Sequence, residues 1–311
     1  MDSTENRNEN SRIKAPLANM QPALFVVLSL MVVFISYQIF GGLLSLFIYG
    51  DDLKTLDTDV NTARIIISFS QFMFILVPVL LLNMLQGTRP KETFRLNKPK
   101  QSVFWLGIAG MVVVQPAIQS FMYLQNLLLK SLPFGGEAIK QIKELMDALE
   151  AVTLNLVNAH SIGEFVLVAF VIAVTPAICE EFFFRGLVFH NFERTMISSK
   201  AVFLTGFIFA VFHFHPFNLI PLILLGYYLT YVVYYSSSIL TGIAVHFVNN
   251  FLSAYLVFRY GKEGFENPEG TIYDNMPLIV TGIISFVLFI IILFFIKNKG
   301  TENKDKIVID V

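Results

Sequence analysis

In TPAICEEFFFR (residues 175–185), two adjacent carboxylates and a guanidinium follow a strongly apolar run that begins at Phe165. A charge at bilayer depth costs at least a few kcal/mol, so such residues usually face a bundle interior or a wet cavity. On a helix, Glu181 and Arg185 are four positions apart and can pair, whereas Glu180 points about 100° away. We therefore expect Arg185 to neutralise Glu181 and to leave Glu180 free for chemistry. The alternative is that these charges mark a membrane boundary and snorkel toward the headgroups.

Pro176 precedes Glu180 by four residues in the same stretch. It has no N–H for the carbonyl of Ile172, so we expect the helix to bend just before the acid pair. Cys179 is the single cysteine of the chain, which excludes an intramolecular disulfide and a thiolate zinc cluster. We interpret Cys179 as a packed small residue.

The composition is that of a polytopic helical membrane protein. Of the 311 residues, 55% are hydrophobic and 14% are charged, against roughly 25% charged in a soluble domain. The mean hydropathy of +0.65 agrees. A net charge of −1 implies no polyanionic partner, so we expect the bilayer and no nucleic acid.

Hydrophobic runs long enough to cross a bilayer predict about eight transmembrane helices. They lie at 22–49, 63–85, 103–129, 164–194, 199–216, 218–236, 238–259 and 276–297. Between the third and fourth runs, apolar residues recur at helical spacing among charged ones from Ile139 to Leu156, which predicts one amphipathic interfacial helix. The expected fold class is an all-α membrane helix bundle.

Lysine and arginine in the connecting segments predict the orientation. The segment 86–101 is basic, as are both terminal segments, whereas the loops at 50–62 and 260–275 are mainly acidic. We therefore expect both termini in the cytoplasm. The expected location is a bacterial cytoplasmic membrane. The expected domains are a disordered tail (1–21), one transmembrane protease domain (22–297, motif core 175–250) and a second cytoplasmic tail (298–311).

Two histidines and an asparagine lie inside later hydrophobic runs. His213 is predicted inside the fifth run, and His246 and Asn250 share a helix face in the seventh. Glu180 is fourteen residues before Arg194, and His213 is thirteen after Lys200. Those separations correspond to roughly 21 and 20 Å of helix, so both side chains are expected at matching depth.

A glutamate and a histidine around a water molecule are the groups that hydrolysis requires. A carboxylate in an apolar cavity can accept a proton from water, with His213 holding that water. His246 and Asn250 can donate hydrogen bonds to the oxyanion of a scissile carbonyl. Zinc is the competing use, with Glu180, His213 and His246 as ligands, although no H-E-x-x-H sequence is present.

Three linked motifs carry a family resemblance. The pattern E-E-x-x-x-R (180–185), then F-x-x-x-H (209–213), then H-x-x-x-N (246–250) resembles the CAAX-processing and bacteriocin-processing (CPBP, or Abi-type) intramembrane proteases. The resemblance implies a multi-helix endopeptidase, with Glu180 as the water-activating base, His213 as its partner, and His246 and Asn250 as the oxyanion site.

In the same resemblance Glu181 and Arg185 are supporting residues. The implied substrate is a membrane-associated peptide or protein, either prenylated or carrying a leader peptide. The family is described both as metalloendopeptidases and as metal-free glutamate proteases, so zinc stays an open cofactor.

Two functions of other classes compete with proteolysis. A proton-coupled transporter also uses buried glutamate and histidine, although the chain has neither paired broken helices nor an inverted repeat. A non-catalytic immunity or scaffold protein would carry the same residues without turnover.

Overall fold

The structure, a computed structural model, describes residues 15–41, 43, 60–131, 137–261 and 270–309. Most of the expected N-terminal tail lies outside these residues. Residues 15–21 are described, and they lie against the bundle: the backbone N–H of Leu17 donates to the carbonyl of Leu85 at 2.9 Å. At the other terminus, the last helix continues to Ile309 through the stretch expected as a second tail.

The described residues form helices and no strand, which confirms the all-α fold class. The helices are α1 (Pro22–Gly41), α2 (Val60–Gln86), α3 (Gln101–Ser131), α4 (Glu137–Val157), α5 (Ile162–Glu193), α6 (Ser198–Val211), α7 (Leu219–Ser236), α8 (Ile239–Tyr260) and α9 (Met276–Ile309). A single helical turn, Pro90–Thr93, lies in the segment between α2 and α3.

Among the described residues, seven helical segments are long and apolar enough to cross a membrane, and α6 is the shorter apolar helix that takes the place of the predicted fifth span. With 14 residues, α6 extends only roughly 21 Å, less than the hydrocarbon thickness of about 30 Å. The prediction that His213 lies within a span is therefore wrong. Helix α6 ends at Val211, and His213 lies in the turn that leads to α7.

The predicted amphipathic helix is confirmed as α4, and its C-terminal end is anchored by a buried arginine of α2. Arg64 is 1% exposed. Its Nε donates to the carbonyl of Leu156 at 2.8 Å, and its Nη2 donates to the carbonyl of Asn158. A cation at a helix C-terminus is favourable because the last carbonyls have no partner within the helix.

Hydrogen bonds between distant parts of the chain define one end of the bundle. Ser238 Oγ, before α8, donates to the carbonyl of Asn97 at 2.6 Å. Lys100 Nζ donates to the carbonyl of Gly300 at 2.6 Å. The basic segment between α2 and α3 and the distal part of α9 therefore lie at the same end, which we call the basic end.

In the part of the chain that the structure describes, four π-helical turns interrupt helices α1, α2 and α5. They are Ser36–Gly41 in α1, Phe72–Leu76 in α2, and Ala169–Val174 and Phe182–Val188 in α5. The turns of α1 and α2 contact each other, and the turn of α2 contacts the α-helical segment Thr175–Glu181. Such turns are rare and often mark functional sites. The acid pair therefore lies at the end of the α-helical segment Thr175–Glu181, which has one π-helical turn before it and another after it.

Candidate active site

The guanidinium of Arg185 is completely buried and has three oxygen partners. Its Nη1 donates to Glu181 Oε1 at 2.7 Å, its Nη2 to the carbonyl of Gly226 at 3.1 Å, and its Nε to Thr230 Oγ1 at 3.3 Å. The guanidinium carbon also lies 4.4 Å from the centre of the Phe209 ring. The expected pair is therefore formed between α5 residues, and helix α7 supplies the other acceptors.

Glu181 also binds a histidine, which the sequence did not predict. His246 Nδ1 lies 2.9 Å from Glu181 Oε1, the oxygen that accepts from Arg185. Because an ionised carboxylate only accepts hydrogen bonds, Nδ1 of His246 carries the proton. A neutral His246 then has a lone pair on Nε2. Only the imidazolium form donates from both nitrogens, so an oxyanion-binding role requires His246 to be protonated.

Glu180 and His213 face each other across a short gap. Glu180 Oε2 is 3.9 Å from His213 Nε2, which is too long for a direct hydrogen bond. His213 Nδ1 lies 2.7 Å from the carbonyl of Phe209, so Nδ1 donates and the neutral ring offers Nε2 as an acceptor. Glu180 Oε2 is buried and has no hydrogen-bond donor among the described residues. Two acceptors at this separation suit one bridging water.

The turn after α6 separates the roles of two neighbouring histidines. His215 Nδ1 accepts from the backbone N–H of Asn218 at 3.2 Å, which caps the short helix Pro216–Asn218. His213 is the histidine that faces Glu180. Phe214 between them has φ +49°, a left-handed conformation that is unusual for a bulky side chain. The turn therefore holds backbone strain next to the candidate site.

Asn250 is bound at both ends of its amide group. Its Nδ2 donates to the carbonyl of Ile172 at 3.1 Å, and its Oδ1 accepts from Asn249 Nδ2 at 3.0 Å. Pro176 cannot donate to that carbonyl, so the proline leaves Ile172 available to the asparagine. The sequence predicted Asn250 as a donor to the oxyanion but did not predict these two bonds.

Gly242 is a site residue that the sequence analysis missed. A Cβ at this position would lie 2.5 Å from Glu181 Oε2 and 2.6 Å from Val233 Cγ2. Only glycine therefore lets α8 approach the buried carboxylate this closely. The sequence does place Gly242 four residues before His246, on the same face of α8, and that spacing could have identified it.

The zinc alternative required Glu180, His213 and His246 as one ligand set. Among the residues that the structure describes, no three His, Cys, Asp or Glu side chains are grouped to hold a metal ion. His246 is bound to Glu181 through Nδ1, and Glu180 faces His213 instead. The three side chains therefore do not fit the predicted zinc site.

The fold and the buried polar residues define the class: a polytopic all-α membrane protein with a polar site inside the bundle. The family described as type II CAAX prenyl endopeptidase Rce1-like has a model that matches residues 162–252, which include the acid pair, His213, His246 and Asn250. This match confirms the resemblance to the CPBP proteases over that segment and supports a CAAX-type membrane endopeptidase in general. Neither the curated proteins nor the solved structures include a significant match.

Proposed function

We propose that the protein hydrolyses a peptide bond of a membrane-associated substrate with a water molecule that Glu180 activates. The observation that carries this proposal is the 3.9 Å separation of Glu180 Oε2 and His213 Nε2. The carbonyl of Phe209 accepts a hydrogen bond from His213 Nδ1, so the two facing atoms, Glu180 Oε2 and His213 Nε2, are both acceptors. A water molecule has two O–H donors, one for each of them.

In this mechanism the water oxygen attacks the scissile carbonyl while one of its protons passes to Glu180. His213 Nε2 accepts a hydrogen bond from the second O–H of the water, which orients the attacking lone pair. The protonated Glu180 then delivers its proton to the leaving amine as the C–N bond breaks. One positioned acid–base group typically contributes about 10²–10⁴-fold to such a reaction.

The oxyanion of the tetrahedral intermediate needs donors on the opposite side. Asn250 Nδ2 has two N–H bonds and uses one on the carbonyl of Ile172, which leaves the second for the oxyanion. His246 donates through Nε2 when it is an imidazolium, with its Nδ1 on the carboxylate of Glu181. Arg185 holds that carboxylate in place. Donors fixed before the reaction stabilise the transition state without reorganisation.

The family match supports the choice of substrate class. We propose a membrane-anchored peptide that is prenylated on a C-a-a-X terminus, with a leader peptide as the other candidate. The proposed architecture is one membrane domain over residues 22–297, with both termini in the cytoplasm of a bacterium. Glu193, the last residue of α5, pairs with Arg95 at the basic end. Glu180 lies thirteen residues before it, so it is roughly 20 Å from the basic end.

The test uses the full chain in proteoliposomes and a farnesylated C-a-a-X peptide with a fluorophore and quencher across the scissile bond. A leader-type peptide without the prenyl group serves as the second probe. We expect Glu180→Gln and His213→Ala to lower kcat by at least about 10²-fold. The matched control is His215→Asn, which keeps a helix cap two residues from His213 and should retain activity.

Three results would contradict the proposal in different ways. A folded Glu180→Gln variant with normal turnover would remove Glu180 from the chemistry. Proton-driven solute flux with no cleavage of either peptide would favour the transporter. Full complementation in cells by Glu180→Gln would favour the non-catalytic scaffold.

A further inference from the structure

We propose that Gln115 and Asn249 are positioning residues that fix the amide of Asn250 for oxyanion binding. This inference rests on the proposed function, in which Asn250 is an oxyanion donor. Gln115 belongs to α3, outside the segment 162–252 that matches the family. We call Gln115, Asn249 and Asn250 the amide relay.

The amide relay is a chain of hydrogen bonds that run in one direction. Gln115 Nε2 donates to Asn249 Oδ1 at 3.1 Å. Asn249 Nδ2 donates to Asn250 Oδ1 at 3.0 Å. Asn250 Nδ2 donates to the carbonyl of Ile172 at 3.1 Å. The relay therefore connects α3 to α8 and α8 to α5.

Backbone carbonyls at both ends determine which way each amide group faces. A carbonyl can only accept, so the amide atom next to it must be nitrogen. Gln115 Nε2 donates to the carbonyl of Met111 at 3.2 Å, which fixes the first amide. The carbonyl of Ile172 fixes the last one. Asn249, between them, matches both neighbours in one orientation and would clash with both if it were flipped.

The consequence for Asn250 is a defined and strengthened donor. Its Oδ1 is occupied by Asn249, and one of its N–H bonds is occupied by Ile172. The second N–H is left at a fixed position. Hydrogen bonds in a chain polarise one another, so donation into Oδ1 makes the remaining N–H a better donor. Without the relay, Asn250 keeps only its bond to Ile172, so its Oδ1 loses a donor and its second N–H is less polarised and less firmly held.

The experiment measures kcat and KM on the farnesylated C-a-a-X peptide, and the affinity for a phosphinate analogue of its tetrahedral intermediate. Gln115→Met removes the donor with little change in volume. It should lower kcat about tenfold with KM unchanged, the effect of one hydrogen bond made in the transition state. Phosphinate affinity should fall by the same factor, because the analogue probes transition-state binding. The control is Gln119→Met, the same change at an exposed position one turn further along α3.

Asn249→Asp is a second variant in case Gln115→Met fails to fold. It keeps the acceptor for Gln115 but replaces the donor to Asn250 with an acceptor, so it should lower kcat at least as much as Gln115→Met. In an Asn250→Ala background, Gln115→Met should cause no further loss of phosphinate affinity, because it acts only through Asn250.

The outcomes separate this inference from the proposed function. If Asn250→Ala abolishes cleavage while Gln115→Met and Asn249→Asp behave like Gln119→Met, the relay is refuted and the proposed function stands. An additive loss in the Asn250→Ala background also refutes the relay. If Asn250→Ala cleaves normally, Asn250 is no oxyanion donor, and the relay and that part of the mechanism fail together.

Discussion

Arg185 and Glu181 are both completely buried, so each is the other's counter-charge inside the bundle, where water cannot replace it. Removing one partner of such a pair leaves an uncompensated charge, whereas a surface pair is worth little because water replaces the partner. The same carboxylate oxygen also binds His246. The supporting pair is therefore connected directly to the candidate oxyanion site.

Arg185→Met should destabilise the protein by about 3–5 kcal/mol, because Glu181 would stay buried with His246 as its one remaining hydrogen-bond partner among the described residues. The measurement is the midpoint of thermal unfolding in detergent, together with kcat. Arg89→Met is the control, since Arg89 also pairs with a glutamate nearby in sequence, Glu92 three residues later, but that pair is largely exposed. Equal stability of the two variants would show that the buried pair is not needed.

Gly242→Ala tests the close approach of α8 to Glu181. The added Cβ would lie 2.5 Å from Glu181 Oε2, so the carboxylate must move away from His246 or the helices must separate. Overpacking of this kind costs about 1–3 kcal/mol. We expect a lower unfolding midpoint and a loss of kcat. Gly163→Ala is the matched control, since its nearest neighbour would be Ser161 Oγ at 3.9 Å; a loss of kcat there as well would point to a general effect of alanine.

At the scale of helices, the hairpin of α6 and α7 carries His213 to Glu180. The two helices cross at Gly206 and Gly226: a Cβ on Gly206 would lie 2.4 Å from the backbone nitrogen of Tyr227. Small residues at a membrane helix crossing allow close backbone packing. The carbonyl of Gly226 also accepts from Arg185, so this crossing holds α7 against α5 as well.

Gly206→Ala should therefore separate α6 from α7 and displace the turn that holds His213. Backbone atoms cannot move aside as a flexible side chain can, so we expect a lower unfolding midpoint and a loss of kcat larger than the effect on KM. Ala201→Gly on the same helix is a control for a change in backbone flexibility without added bulk. A Gly206→Ala variant with normal kcat would mean that the hairpin tolerates repacking without moving His213.

The sequence predicted the helices because hydrophobic length and helical spacing are local signals. The Glu181–Arg185 pair was predictable for the same reason, since four residues on one helix determine it. The bond from His246 to Glu181 and the bond from Gln115 to Asn249 join different helices, and periodicity does not say which faces meet. The turn at His213 was missed because the apolar run continues past Val211 while the helix does not.

At the scale of the whole molecule, the two ends of the bundle differ in charge and in construction. The basic end is formed by the segment between α2 and α3, the start of α8 and the distal part of α9. At the opposite end, Arg64 binds the end of α4, and Tyr123 donates to the carbonyl of Gly270 at 3.1 Å. Membrane insertion keeps basic loops in the cytoplasm, so this arrangement predicts that the basic end is cytoplasmic.

The single native cysteine makes this orientation directly measurable. Cys179 is completely buried, so a membrane-impermeant maleimide should not label the folded native chain. Lys98→Cys places a thiol at an exposed position of the basic end, and Tyr273→Cys places one at a position that is 86% exposed near the opposite end. In bacterial spheroplasts, whose cytoplasmic membrane is sealed, we expect the maleimide to label Tyr273→Cys and not Lys98→Cys. Both variants should label after the membrane is permeabilised, which controls for accessibility.

The reverse pattern would place the basic end outside. Glu180, eighteen residues after the start of α5, would then lie roughly 27 Å from the cytoplasmic end of that helix, farther than in the predicted orientation.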